Sequence, residues 1–176
     1  SRLSYFLWSS LPDPALHEDA VAERLSDPAV LAARVERLLD DPKSGRLVEQ
    51  FTGQWLGLRR IDETTPDTKL YPDFDELLQV SMVRESRSFF AKLLAEDLPL
   101  KNFLDADFTM LNGRLAAHYG IPGVSGLETR AVLLPSESVR GGILTQAAVL
   151  KVTSNGTNTS PVLRGVWVLE NVLGKH

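Results

Sequence analysis

Apolar side chains recur every three or four residues over much of this chain, and that spacing places them on one face of an α-helix. The clearest early examples fall in two successive segments. They are Leu31, Val35, Leu38 and Leu39, followed by Leu47, Phe51, Trp55 and Leu58. The pattern therefore predicts a helix in each segment.

Three dipeptides mark helix starts. An Asp or Ser side chain can accept a hydrogen bond from a free backbone N–H of the first turn, and a proline just after it lacks only an N–H that the helix does not use. The three dipeptides are Asp13–Pro14, Asp27–Pro28 and Ser160–Pro161. We expect a helix to follow each of them.

The longest predicted helix covers about residues 73–95, and a shorter one around His118 ends at Gly120. Only residues 127–135, with the sequence LETRAVLLP, read as a strand, and a single strand cannot form a sheet. We therefore predict a mainly α-helical protein, a compact bundle of about seven or eight helices with at most one or two short strands.

One carboxylate falls in the middle of the apolar stripe of the longest helix. It is Glu85, and the stripe consists of Phe74, Leu78, Met82, Phe89 and Leu93. We expect Glu85 to be buried, and a buried charge must be paired or must shift its pKa. Two interpretations stay open. Glu85 is either a structural carboxylate paired with an arginine from another helix, or a general acid or base.

A second group of ionisable residues lies around the short helix. His118 shares a helix face with Leu111 and Leu115, and Asp105 and Asp107 precede it. Two carboxylates and an imidazole could bind a metal or share a proton. The alternative is a histidine in the core or at a helix end, with the aspartates capping the following turn. The spacing fits no calcium-binding loop, and we predict no metal site.

The polar loop SNGTNTS lies between two apolar helices near the end of the chain. Its candidate ligand-binding residues are Asn155, Thr157, Asn158 and Ser160, flanked by the positive charges of Arg140 and Arg164. Such a loop can hold a carboxylate, a sulfate or a sugar hydroxyl near the start of the last helix. Alternatively, its amides and hydroxyls bond only to their own backbone, in Asx and Ser/Thr turns.

Composition excludes several classes of function. The 176 residues carry a net charge of −4 without clustered lysine and arginine, so we expect no nucleic-acid binding. Charges interrupt every apolar run well before the roughly 20 residues of a membrane span. Cysteine is absent, which excludes disulfides, thiolate metal sites and a C-x-x-C-H haem site within these residues. No nucleophile elbow, phosphate-binding loop or H-E-x-x-H motif occurs either.

Six runs of residues, spread in order over the chain, carry a family resemblance. They are FLWSSLPD (6–13), GQWLGLR (53–59), YPDFDELL (71–78), ESRSFF (85–90), LNGRLAAHYGIPG (111–123) and residues 140–174. Together they resemble the planctomycete-type domains of unknown function that occur in large exported bacterial proteins. The resemblance implies a planctomycete-specific helical domain over residues 1–126. Residues 127–176 would then begin a cytochrome-associated domain packed on the first.

The resemblance also implies a cellular setting. The parent protein is expected to be large and periplasmic, or otherwise extracytoplasmic. We expect no cofactor in this segment, with haem c carried elsewhere in the parent protein. The expected partners are neighbouring domains of that protein, a c-type cytochrome domain among them.

Three functional hypotheses follow. The leading one is a module without chemistry of its own that docks onto neighbouring domains through the apolar residues of the last helix, namely Val162, Leu163, Val166, Trp167 and Leu173. The second is part of an enzyme that acts on a polysaccharide or another small oxygen-rich substrate through Glu85, Asp105, Asp107 and His118. The third is ligand binding by the SNGTNTS loop without catalysis.

Overall fold

Helices dominate the backbone. The computed structural model describes residues 1–175, and these residues contain eight α-helices and two short strands. They are α1 (Arg2–Trp8), α2 (Pro14–Val21), α3 (Pro28–Asp40), α4 (Gly45–Trp55), α5 (Glu76–Ala95), β1 (Phe108–Leu111), α6 (Gly113–Tyr119), β2 (Arg130–Leu133), α7 (Ala147–Val152) and α8 (Pro161–Asn171). The prediction of a mainly α-helical fold with at most two short strands is confirmed.

The chain forms two compact units, the first ending at Phe51 and the second starting at Thr52. The predicted family boundary between residues 126 and 127 lies within the second unit and stays a prediction. No helix among the described residues combines the length and the apolar character that crossing a membrane requires.

The three predicted helix starts are confirmed, and each has the expected cap. The side chain of Asp13 accepts a hydrogen bond from the Leu16 amide at 2.9 Å, and Asp27 and Ser160 cap α3 and α8 in the same way. Helix α5 begins three residues later than predicted. Its cap is Asp75, whose carboxylate accepts from the Leu78 amide at 2.6 Å and so fixes the first turn at Glu76.

The first unit is built around Trp8. Its indole N–H donates to the carbonyl oxygen of Leu38 at 2.8 Å, which ties α1 to α3. The buried apolar residues around it are Leu7, Leu16, Leu38 and Leu47. Asp19 is also buried, and both Arg24 and Arg34 pair with it. The hydrogen bonds from these two arginines lower the pKa of Asp19, so this carboxylate stays ionised inside the unit.

In the second unit, α5 is the central element and packs against β1, α6 and α7. Strands β1 and β2 form an antiparallel pair in which Phe108 lies opposite Leu133 and Leu111 lies opposite Arg130. The strand expected within residues 127–135 is therefore confirmed as β2. Strand β1 was not predicted. Three of its four residues are buried, so the alternation of buried and exposed positions that identifies a strand is absent.

Candidate functional site

A cleft of about 490 Å³ opens in the second unit. Its walls come from the loop before α5, the first turns of α5, the ends of α6 and α7, the polar loop before α8 and the first turn of α8. Its lining is Pro66, Leu70, Tyr71, Pro72, Asp73, Phe74, Leu78, Met82, His118, Leu150, Lys151, Ser154, Gly156, Asn158, Thr159 and Arg164. Apolar side chains supply most of the wall, and the cationic and hydroxyl groups come mainly from α7, α8 and the loop between them.

Lys151 is the buried cation of this cleft, with only 7% of its surface exposed. Its Nζ donates to the carbonyl oxygen of Thr64 at 2.7 Å and to that of Ile61, and it lies 5.6 Å from the centroid of the Phe74 ring. Burial lowers the pKa of Lys151, and the negative charge of Asp62 partly opposes this shift. Lys151 makes no ion pair with a carboxylate in the described part of the chain.

Arg164 is the second cation, and two threonines hold it. Its Nη2 donates to the Thr159 hydroxyl at 2.7 Å, and its Nε reaches the Thr153 hydroxyl at 3.5 Å. Within residues 1–175, Arg164 also has no carboxylate partner at ion-pair distance. Two positive charges therefore face one cleft, and neither forms an ion pair with a carboxylate of residues 1–175.

The SNGTNTS loop is fixed by its own turn and by the segment before α5. The Asn155 carboxamide oxygen accepts from the amides of Thr157 and Asn158 at 3.1 and 2.8 Å. Gly156 has a φ of +86°, and a side chain there would come within 2.6 Å of the Thr65 carbonyl oxygen. The Tyr71 hydroxyl donates to the Thr157 carbonyl oxygen at 3.1 Å. Only glycine fits at position 156, and the loop is held in place.

Of the six residues predicted for ligand binding, two line the cleft and four do not. Asn158 and Arg164 line the cleft. The side chains of Asn155 and Thr157 bond to each other within the loop, Ser160 caps α8, and none of the three lines the cleft. Arg140 does not line it either. Its guanidinium lies 3.6 Å from the centroid of the Tyr119 ring.

Sequence reasoning missed Lys151. The signal was a single lysine among the apolar residues of AAVLKV, which become α7. Its acceptors are the carbonyls of Ile61 and Thr64, which lie 90 and 87 residues earlier in the chain. No pattern among the neighbouring residues predicts these hydrogen bonds between distant parts of the chain.

The burial predicted for Glu85 is confirmed, since only 1% of its surface is exposed. Its two carboxylate oxygens accept from the hydroxyls of Thr109 at 2.6 Å and Tyr119 at 2.5 Å. The Tyr119 oxygen in turn accepts from the Ala147 amide at 2.8 Å. These residues form the Glu85 cluster, which joins α5, β1, α6 and α7.

Neutral hydroxyls, and not an arginine, satisfy Glu85. The guanidinium of Arg140 does not bond to Glu85. It stacks on the Tyr119 ring and donates to the Thr145 carbonyl oxygen at 2.8 Å. Burial raises the pKa of Glu85 to about 7, although both hydroxyl hydrogen bonds and the charge of Arg140 act to lower it. Burial and the neighbouring carboxylate also raise the pKa of Tyr119. The interpretation as an arginine-paired carboxylate is therefore wrong.

Further buried polar pairs flank Glu85 along α5. Asn112 donates from Nδ2 to the Ser81 hydroxyl at 2.8 Å, while its Oδ1 caps α6 by accepting from the Leu115 amide. The Ser86 hydroxyl donates to Gln146 Oε1 at 2.7 Å. The cap of α6 is thus Asn112, and the interpretation in which Asp105 and Asp107 cap the turn after them is wrong.

The four residues suggested for catalysis are not gathered in the cleft. His118 lines it, and partial burial together with the positive charges of Arg140 and Arg114 lowers the pKa of His118. Glu85 is enclosed in its cluster, while Asp105 and Asp107 are exposed and do not line the cleft. Within residues 1–175, no group of three or more His, Asp or Glu side chains is arranged to hold a metal ion.

The outer face of α8 is a second notable surface. Trp167 packs into the core of the second unit, which corrects its inclusion among the docking residues. Exposed apolar residues on the rest of the helix, and one just past its end, form the α8 stripe: Val162, Leu163, Val166, Leu169 and Leu173. The carbonyl oxygen of Asn171 accepts from the Trp55 indole N–H at 2.7 Å and anchors the end of the helix.

Comparison with known families identifies the chain. The family model PSD4, a protein of unknown function (DUF1592), matches residues 1–121. The chain belongs to the PSD4 family. The resemblance to planctomycete-type domains of unknown function is thereby confirmed.

A second family model, PSCyt3, also a protein of unknown function (DUF1588), matches residues 140–176. The PSD4 match contains Phe74, Glu85 and His118. The PSCyt3 match contains Lys151 and Arg164. The cleft is therefore built from both family segments. No curated protein and no solved structure matches this PSD4 chain.

Proposed function

We propose that this PSD4 chain is a docking module of a larger extracytoplasmic bacterial protein and that the α8 stripe binds a c-type cytochrome domain. The observation that carries the proposal is the row of apolar side chains left in solvent on a firmly anchored helix. Val162, with 74% of its surface exposed, begins the row.

The stripe has the geometry of a contact surface. Val162, Val166 and Leu169 are spaced by four and three residues, so they follow one line along α8, and Leu173 lies two residues beyond the end of the helix. Trp167 fixes the opposite side in the core. Full burial of an exposed Val or Leu side chain stabilises a complex by about 1.5 to 3 kcal/mol before the cost of association. Val166 and Leu169 are already partly buried and gain less than this, so we expect a weak contact.

The expected partner follows from family and size. The PSCyt3 match covers the whole of α8, and the name of that family indicates cytochrome association. Electron-transfer partners form small contacts, below about 1,200 Å² of total buried surface, and one helix face is suited to that scale.

This role places the haem outside the present residues. The chain has no cysteine for covalent attachment. We propose that haem c is carried elsewhere in the parent protein, and that this protein is periplasmic or otherwise extracytoplasmic. Cell fractionation with an antibody against the chain tests the location: recovery with the cytoplasmic fraction would reject it.

Sedimentation velocity tests the docking proposal. The chain is mixed with the c-type cytochrome domain of its parent protein, produced separately, and haem absorbance follows the cytochrome. We expect the haem signal to sediment faster with the wild-type chain and with the control variant Leu133→Glu, which changes an exposed leucine on β2. We expect the signal not to shift with Val166→Glu/Leu169→Glu. No shift with the wild type, or self-association of the chain through α8, would reject the proposal.

A further inference from the structure

We infer that the cleft beside Lys151 and Arg164 binds a small organic acid, with its carboxylate between the two cations and its apolar body against Phe74, Leu78 and Met82. This site is distinct from the α8 stripe. The stripe faces outward, whereas Arg164 is bonded to Thr153 and Thr159 and lines the cleft. The two proposals can therefore fail independently.

The size and lining of the cleft fit a small molecule. Its volume of about 490 Å³ lies within the range of roughly 300 to 1,000 Å³ for ligand pockets in proteins. Such pockets combine an apolar wall with a few converging polar groups, and this one has the same division. Phe74, Leu78, Met82 and Leu150 supply the apolar wall, and Lys151, Arg164 and Asn158 supply the polar end.

The charges specify an anion. A lysine ammonium has three donors, and two of those of Lys151 go to the carbonyls of Ile61 and Thr64. Carbonyls satisfy hydrogen bonds but do not neutralise a charge, and a buried charge is costly unless an opposite charge pairs with it. Arg164 adds a second positive charge with no carboxylate partner among residues 1–175. A bound carboxylate would supply the missing negative charge.

The cleft also has one acidic residue, Asp73. Its charge acts on His118, where it raises the pKa against the lowering effects of burial and arginine. The carboxylate that acts on Lys151 is Asp62 instead. A ligand carboxylate is therefore expected beside the cations Lys151 and Arg164 and not beside Asp73.

The site is built before the ligand arrives. The two threonine hydroxyls hold the Arg164 guanidinium, and the Gly156 turn and the Tyr71 hydroxyl hold the loop. Little conformational freedom is then lost on binding, which favours affinity in a small site. The surface loop thus positions the cation and contributes Asn158 to the polar end of the cleft.

Isothermal titration calorimetry of the full chain with four probes tests the inference. Benzoate and hexanoate carry a carboxylate on an apolar body, benzyl alcohol keeps the body without the charge, and acetate keeps the charge without the body. We expect benzoate or hexanoate to bind at least tenfold more tightly than benzyl alcohol and acetate. Equal affinity for benzoate and benzyl alcohol, or no binding of either acid, would overturn the inference.

Variants then assign the site. We expect Arg164→Gln to weaken binding of the acid about tenfold, and Lys151→Met to weaken it at least as much. The matched control is Arg130→Gln, which changes an exposed arginine on β2 and should bind like the wild type. If Lys151→Met does not fold, Arg164→Gln decides alone. Unchanged affinity in Arg164→Gln would reject the site even if the acid binds elsewhere on the chain.

Discussion

Two buried ionisable side chains of the second unit have opposite surroundings. Glu85 is enclosed, and the hydroxyls of Thr109 and Tyr119 satisfy it. Lys151 is bonded to two carbonyls but borders an open cleft, and a second cation, Arg164, faces the same space. The enclosed acid, whose two oxygens each accept a hydroxyl hydrogen bond, joins four elements of the second unit. A buried cation without an anion, next to a cavity, indicates a binding site.

The largest effect that sharpens this contrast is the pH dependence of folding. The folded pKa of Glu85, about 7, lies above its ordinary value of 4.5, so the folded state holds the proton more tightly than the unfolded state. The stability that this proton confers is complete below about pH 4.5 and is lost as the pH rises to about 7. The loss between pH 5 and pH 8 amounts to about 2 to 3 kcal/mol.

Glu85→Gln removes this titration. Urea unfolding gives the free energy of unfolding of both proteins at pH 5 and pH 8. Relative to the variant, the wild type should lose about 2 to 3 kcal/mol between these two pH values. A constant difference between the two proteins across this range would mean that Glu85 ionises inside the fold without cost, contrary to its enclosure.

Tyr119→Phe should have the next largest effect. The change removes the donor to Glu85 and the acceptor of the Ala147 amide, and two buried polar groups lose a partner. We expect a loss of about 1 to 2 kcal/mol in the free energy of unfolding at pH 6. The pKa of Glu85 should also rise further. Tyr71→Phe is the control, because its hydroxyl is exposed and bonds only to a loop carbonyl; equal losses in the two variants would argue against a special role for the cluster.

Arg140→Gln tests the stacking on Tyr119 and should cost about 0.5 to 1 kcal/mol. The positive charge of Arg140 lowers the pKa values of both Glu85 and His118, so both values should rise in the variant. An NMR titration of the His118 ring measures this shift directly. A His118 titration unchanged from the wild type would show that Arg140 lies elsewhere in solution.

Arg164→Gln should change stability least, by less than about 0.5 kcal/mol, because the residue is only half-buried and bonds to two hydroxyls. Its unfolding curve should follow that of the wild type at every pH between 5 and 8. A large loss of stability would indicate that Arg164 holds the fold together and would weaken its assignment to a binding site.

The features that were predicted correctly depend on residues close together in the sequence. The caps at Asp13, Asp27 and Ser160 depend on residues two or three positions away, and the burial of Glu85 follows from its place on one helix face. Strand β1 was not predicted, because it is short and most of its residues are buried. The partners of Lys151 and the stacking of Arg140 on Tyr119 join distant parts of the chain, and no periodicity along the sequence encodes such contacts.

The contrast between the enclosed acid and the cationic cleft is tested most directly by one measurement, the affinity of benzoate for Glu85→Gln and Arg164→Gln, determined by calorimetry at the same pH. Our account predicts that Glu85→Gln binds within twofold of the wild type and that Arg164→Gln binds about tenfold more weakly. Loss of binding in Glu85→Gln, with wild-type affinity in Arg164→Gln, would contradict it.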